Sequence, residues 1–152
     1  MDFERVDLEP FVVYGKRKRF TPESRSEIGA LWGEVLANAK PLGLGPQNTC
    51  YGMCVGMGPE GAFDYAVCVD TVDPTKAHEV GFEMISVPGG TFVMFTHHGP
   101  VSELPMFIQF AWNEGLPASA HQHRRDGMDF ERYPSNWTPT EGPTQYFIPV
   151  EA

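Results

Sequence analysis

Apolar residues recur along this chain at two spacings, and the places where the spacing changes mark where strands give way to helices. From Pro10 the run FVVYG is apolar and β-branched, as a buried strand requires. The charged residues after it predict that the strand runs out into solvent. FTPESRSEIGALWGEVLANAK opens with the Thr, Pro and Glu of a helix start, then sets Ile28, Leu31, Trp32, Val35 and Leu36 at helical spacing. PLGLG stops that helix. TCYGMCVGM and FDYAVCVD follow as two strands, with GPEGA between them supplying hairpin turn residues.

Residues 71–79 read as a less regular link. VGFEMISV, the turn PGG and TFVMF then predict a second hairpin. VSELPMFIQFAWNEGLPAS returns to helical spacing through Leu104, Phe107, Ile108, Ala111 and Trp112, with Pro105 in the first turn and Gly115 and Pro117 closing it. MDFERY and TQYFIPV are the closing strands, joined by a polar loop. FVVYG…ALWGEVL aligns with FVMFT…FAWNEGL, so the pattern predicts an α+β fold of duplicated β-α-β-β halves with an antiparallel sheet. The expected organisation is one domain over residues 1–152, with pseudo-repeats at roughly 8–70 and 80–150. Two halves, each with a helix on its sheet, leave a cleft where they meet, a common place for a ligand.

Composition narrows the function. The chain is 41% hydrophobic and 20% charged, with no apolar run long enough to cross a membrane and no basic leader before an apolar stretch, so a cytoplasmic protein is expected. Cys50, Cys54 and Cys68 are odd in number and lack a CxxC spacing, which argues for reduced thiols rather than a disulfide framework. A formal net charge of -9 repels a phosphate backbone and disfavours direct nucleic-acid binding. The basic run Lys16-Arg17-Lys18-Arg19 stands against that balance and reads as a solvated strand end.

The string DFER occurs twice, and its two glutamates differ in setting. Glu4 lies near a chain end, where segments are usually exposed and loosely held. Glu131 sits inside an apolar strand, where a desolvated carboxylate has a raised pKa and gains from an arriving cation. An outward-facing glutamate paired with Arg132 is the other reading of the same residues. Tyr51, Tyr65, Tyr146 and Trp112 can offer flat faces to a planar ligand, although core packing is the default for Trp32 and Trp112 on amphipathic helix faces. Strand parity puts Tyr51 and Met53 on one face, and Met53 can supply the adaptable surface of a promiscuous pocket.

His97-His98 and His121-x-His123 have no third and fourth ligand at a recognisable spacing and read as solvated loop histidines, so no metal is expected. Cys50-x-x-x-Cys54 reads as buried strand thiols. No Ser-His-Asp arrangement, phosphate loop or nucleotide fingerprint is present, and no cofactor is expected.

ISVPGGTFVMFTHHGPVSEL, AWNEGLP, DFERY and TQYFIPV, in that order and spacing, resemble the GyrI-like small-molecule-binding domain, also called the AraC effector-binding domain. The likeness is strongest over residues 85–150, and the element order agrees along the chain. It implies pseudo-symmetric halves with an aromatic cleft. In multidrug-responsive regulators a glutamate matching Glu131 and nearby strand tyrosines, here Tyr51, Tyr65 and Tyr146, receive lipophilic cations. Other stand-alone members open the cyclopropane ring of DNA-alkylating toxins or protect gyrase.

The resulting expectation is a protein that binds planar lipophilic cations through Tyr51, Met53, Tyr65, Trp112, Glu131 and Tyr146. The alternative is a detoxifying hydrolase with Glu131 as general base and Tyr51 or Tyr65 assisting. A third reading is a protein-interaction module acting on a protein partner. Regulators of this family carry a helix-turn-helix segment, and none is expected here, so any regulatory role passes through a partner.

Overall fold

Alternating apolar positions build strands β1 (Glu4–Leu8), β2 (Phe11–Phe20), β3 (Cys50–Met57), β4 (Phe63–Val69), β5 (Glu83–Val87), β6 (Gly90–His97), β7 (Phe130–Tyr133) and β8 (Thr144–Val150). In the computed structural model, which describes residues 2–43, 48–70 and 73–152, they form one antiparallel sheet of order β1-β6-β8-β7-β3-β4-β2-β5. Helix α1 (Ile28–Ala39) packs Leu31, Val35 and Ala39 onto one half of the sheet. The second half is covered by a continuous helical rod, α3 (Leu104–Phe110), a π turn (Ala111–Gly115) and α4 (Leu116–Ser119). A short helix, α2 (Pro74–Glu79), precedes β5. Among the described residues no helix is long and apolar enough to cross a membrane.

The opposite face of the sheet wraps an inner core. β1 and β2 are joined only by residues 9–10, yet five strands lie between them in the sheet, and the same holds for β5 and β6 across residues 88–89. A link that short reaches at most about 11 Å. The sheet therefore has to curl until its ends meet. The two links touch: a Cβ on Gly89 would fall 2.4 Å from the Leu8 carbonyl oxygen and 2.7 Å from the Pro10 nitrogen. Val6 and Leu8 from one end and Ile85 and Val87 from the other close on the same cluster, with Phe92, Phe130 and Phe147 at its centre.

This wrapping corrects the second predicted hairpin. β5 and β6 are neighbours in sequence but not in the sheet; β5 pairs with β2 and β6 with β1 and β8. The segment ERVDL is an edge strand rather than a loose end, with Val6 and Leu8 its inward residues. The basic run does not end β2 but continues it. Arg17 makes paired bonds to Glu83 and Arg19 to Asp64, cross-strand charge pairs that let a charged strand edge persist.

Part of the predicted irregular link is α2, capped by Asp73 accepting from the Thr75 and Lys76 backbone N–H groups; Ala77 is its one buried residue, too little for a periodic signal. The second helix also runs past Gly115 and Pro117 to Ser119, because the wide π turn before Pro117 accommodates a ring that lacks an N–H. Leu44 and Gly45 of the predicted helix stop, and Thr71 and Val72 of the predicted link, lie outside the described residues.

Phe130 is fully buried, stacks on Phe147 at 4.6 Å and meets Phe92 edge-on at 5.6 Å. Phe130→Ala is expected to cost about 3–5 kcal/mol, read as a lower urea midpoint at unchanged slope. A loss under about 1 kcal/mol would mean that the inner core tolerates a cavity there and does not hold the curled sheet together.

Candidate functional site

The two middle strands, β7 and β3, meet between the helices, and their register composes the site. Gly52 lies opposite Glu131, and Glu131 lies opposite Tyr146, so Tyr146 and Glu131 stand side by side on the helix-covered face. Gly52 lacks the atoms that would block this spot. A Cβ there would lie 1.9 Å from the Tyr65 hydroxyl and 2.7 Å from Glu131 Oε1. Tyr65 instead leans across from β4 and donates to Glu131 Oε1 at 2.7 Å. Tyr133, two residues further along β7 on the same face, donates to the same oxygen at 3.0 Å.

Glu131 is only 8% exposed. Burial penalises its charged form and pushes its pKa up to about 7; the two phenol donors pull it down, and the neighbouring Asp129 charge adds to the rise. Burial, followed by the Glu131 charge, holds the Tyr65 and Tyr133 hydroxyls well above the ordinary tyrosine range. Both therefore remain donors at neutral pH.

A second carboxylate stands beside the first. Tyr146 donates to Asp129 Oδ2 at 2.5 Å, and the Trp112 indole N–H donates to the Tyr146 hydroxyl at 2.7 Å. Trp112 reaches this position from the π turn. Burial raises the Asp129 pKa, and the Tyr146 donor acts against the rise.

On the α1 side lies an open apolar cavity of about 230 Å³, lined by Trp32, Leu36, Cys50, Val101, Tyr133 and Trp137. Trp32 and Trp137 each meet the Tyr133 ring close to edge-on, at 4.9 Å and 5.4 Å. The Trp137 indole N–H donates to Thr144 Oγ1 at 3.0 Å. Burial pushes the Cys50 thiol up to about 11, so it presents itself to the cavity as a neutral, soft wall. The cavity can take an aromatic body, and behind Tyr133 stands a carboxylate whose charge is costly unless a cation balances it.

Tyr65, Glu131, Tyr146 and Trp112 are thus brought to one face of the sheet. Tyr51 and Met53 are not. Gly52 shares its face with Glu131, so its chain neighbours point the other way: Tyr51 packs against Phe11 and Phe130, and Met53 is fully buried in the inner core. Trp32, assigned to the core by its spacing, is half-buried and lines the cavity. His97 is not a solvated loop residue; it is buried on β6 with Nε2 at 3.1 Å from the Pro100 carbonyl and its ring against Phe107. Sequence reasoning overlooked Tyr133, which parity from Glu131 could have supplied, and Gly52, since a mid-strand glycine signals close approach. Trp137 and Asp129 lie outside the strands and carry no periodic signal.

A family model for the GyrI-like small molecule binding domain matches residues 1–151. Among solved structures the chain is similar to SAV2435 bound to tetraphenylphosphonium, at 16% identity and a TM-score of 0.78 over 100% of this chain and 95% of that one. It is similar to integron cassette protein VCH_CASS2 from the mobile metagenome of Vibrio cholerae, at 26% identity and a TM-score of 0.70 over 98% and 95%. It is also similar to a hydrolase encoded by lin2189 from Listeria innocua, at 12% identity and a TM-score of 0.61 over 98% and 91%. The first and third likenesses are of fold alone. No curated protein matches the chain.

Two measurements probe the buried carboxylate. With a folded pKa of about 7 against an ordinary 4.5, Glu131 takes up its proton more readily in the folded chain, so its stabilisation is full below 4.5 and is lost as pH rises through 7. Relative to Glu131→Gln, the wild type should lose roughly 3 kcal/mol between about pH 4.5 and pH 8 in urea denaturation. Parallel curves would make Glu131 an ordinary solvated carboxylate. Gly52→Ala should evict the Tyr65 hydroxyl and move the Glu131 pKa further upward, as Tyr65→Phe should. Carboxyl NMR titrations of both variants check this, and wild-type behaviour in both would remove Tyr65 as a donor that matters.

Proposed function

The chain belongs to the GyrI-like small-molecule-binding family, and on that premise we propose that it captures planar lipophilic cations beside α1, with Glu131 as the counter-charge. The observation that carries this reading is one buried carboxylate oxygen held by two phenol donors, one of which, Tyr133, lines an aromatic cavity. A cation seated there restores the favourable field that burial took from Glu131. A neutral molecule of the same shape gains only the aromatic contact. Because Glu131 titrates at about 7, cation uptake drives off a proton wherever the free site is protonated. The fold neighbour bound to tetraphenylphosphonium, itself a lipophilic cation, supports this class of ligand.

A hydrolase reading is favoured by the same pKa, since a carboxylate that titrates near neutrality suits general-base work, and by a fold neighbour that is a hydrolase. In that reaction water attacks a cyclopropane carbon and Glu131 accepts its proton. The ring C–C bond breaks towards the conjugated electron-withdrawing part of the toxin, which takes up a proton in turn. Tyr65 and Tyr133 would orient the carboxylate; Tyr51, on the other face, would have no part.

Glu131→Gln is expected to weaken a lipophilic cation by about 2–5 kcal/mol and leave a neutral isostere almost unchanged. Wild-type cation affinity should rise about tenfold per pH unit below the Glu131 pKa and level off above it. Calorimetry in buffers of different ionisation enthalpy reads both the affinity and the released proton. A pH-independent affinity that the Gln variant does not alter would sink the receptor reading. The hydrolase reading requires turnover of a cyclopropane-bearing alkylator by wild type, reduced roughly 100-fold to 10,000-fold in the variant, as followed by mass spectrometry.

A further inference from the structure

The cavity beside Tyr133 is tight for the ligands its chemistry invites. Its volume is about 230 Å³, whereas pockets for drug-sized ligands run roughly 300–1,000 Å³ and a cavity of about 150 Å³ takes one benzene. By ring atoms, ten against six, a fused pair of rings would take about 250 Å³ and just fills it. Four aryl rings round a central atom would need on the order of 600 Å³ at the same rate.

The walls are tied down. Trp137 comes from the loop between β7 and β8, and Thr144, which accepts its indole N–H, is 1% exposed. That loop is laced to itself and to the segment after β6: Thr138 and Gly142 exchange backbone hydrogen bonds of 3.0 Å and 2.9 Å, and Val101 N–H donates to the Pro139 carbonyl at 2.9 Å. Trp32 closes the other side from α1. The two indoles meet the Tyr133 ring at 77° and 87°, so displacing either one strips an edge contact from the ring whose hydroxyl holds Glu131.

The position of charge within a ligand adds to the size limit. Tyr133 stands between the cavity and Glu131. A flat cation with its charge in the ring can bring that charge up to Tyr133, while a tetraaryl cation keeps its charge at the centre, behind its own rings.

We propose that the cavity is a slot selective for flat monocyclic or bicyclic cations of the alkylated quinolinium kind over bulky tetraaryl cations, with Trp137 setting the limit. This rests on the cation-capture reading and adds a shape rule to it. Trp137 is the wall to open, because it stands on a loop whereas Trp32 lies within α1.

The test is calorimetry on the full chain with N-methylquinolinium and tetraphenylphosphonium, using wild type, Trp137→Ala and Trp137→Phe, with the fold checked by circular dichroism. Wild type should bind the quinolinium at least tenfold more tightly. Trp137→Ala should shrink or reverse that ratio at least tenfold by gaining affinity for the phosphonium, and Trp137→Phe should move it the same way by less. Should the Ala variant fail to fold, the Phe variant alone decides. Wild type that binds the phosphonium as tightly as the quinolinium overturns the proposal, as does a ratio unmoved by opening Trp137. The neutral pair 2-naphthol and triphenylmethanol separates shape from charge. Naphthol bound as tightly as the quinolinium, and still preferred to triphenylmethanol, removes the cation reading and upholds the shape rule. Absence of binding by all four molecules overturns both.

Discussion

Everything at this site depends on one carboxylate oxygen that accepts two phenol hydroxyls in a place almost without water. Tyr65 can donate only because Gly52 has no side chain, and Tyr133 can donate because it shares a strand face with Glu131. The two donors limit the cost of burial without abolishing it, which leaves the carboxyl poised near neutrality rather than fully charged or fully protonated. Two more donors, or two fewer, would have set a different group: a permanent anion, or a carboxylic acid. The chemistry of the cleft therefore lives in a balance of desolvation against hydrogen bonding at a single atom.

The two halves of the sheet treat their tryptophans differently, and that asymmetry defines where a ligand can go. On the second half, Trp112 is fastened through Tyr146 to Asp129, and Tyr146 is 1% exposed, so the space is filled by a chain of polar contacts. On the first half, Trp32 makes an edge contact on Tyr133 and leaves a cavity open beside it. One half is closed by hydrogen bonds and the other held open by rings. Asp129 still acts across the boundary, since its charge helps to raise the Glu131 pKa.

Much of this was legible in the chain. The helical spacing from Ile28 to Leu36 and the GPEGA turn were local signals, and local signals survive folding because neighbours in sequence decide them. An apolar strand around Glu131 pointed to a desolvated carboxylate. What could not be read was pairing between distant segments: ERVDL is a strand because β6 lies beside it, and β5 leaves β6 because β2 competes for it. The same limit misled the reading of Tyr51 and Met53. Parity tells which residues share a face, but only the register of Gly52 against Glu131 tells which face the helices cover. Trp137 stood in a stretch without period and had no signal to give.

The exchange of edge strands has a consequence for how the chain is made. Synthesis delivers β1 first, yet its partner β6 follows only after most of the chain, with Glu4 opposite Met94. β2 likewise waits for β5 to cover its open edge. β8, the last strand of all, enters between β6 and β7 rather than at a rim. A nascent chain thus carries β6 and β7 with bare edges until its final strand emerges, and Phe130 has no Phe147 to stack on before then. Exposed edges of that kind invite pairing with other chains. Completion of this fold is a single closing event, the entry of β8 between β6 and β7, rather than the addition of one finished half to another.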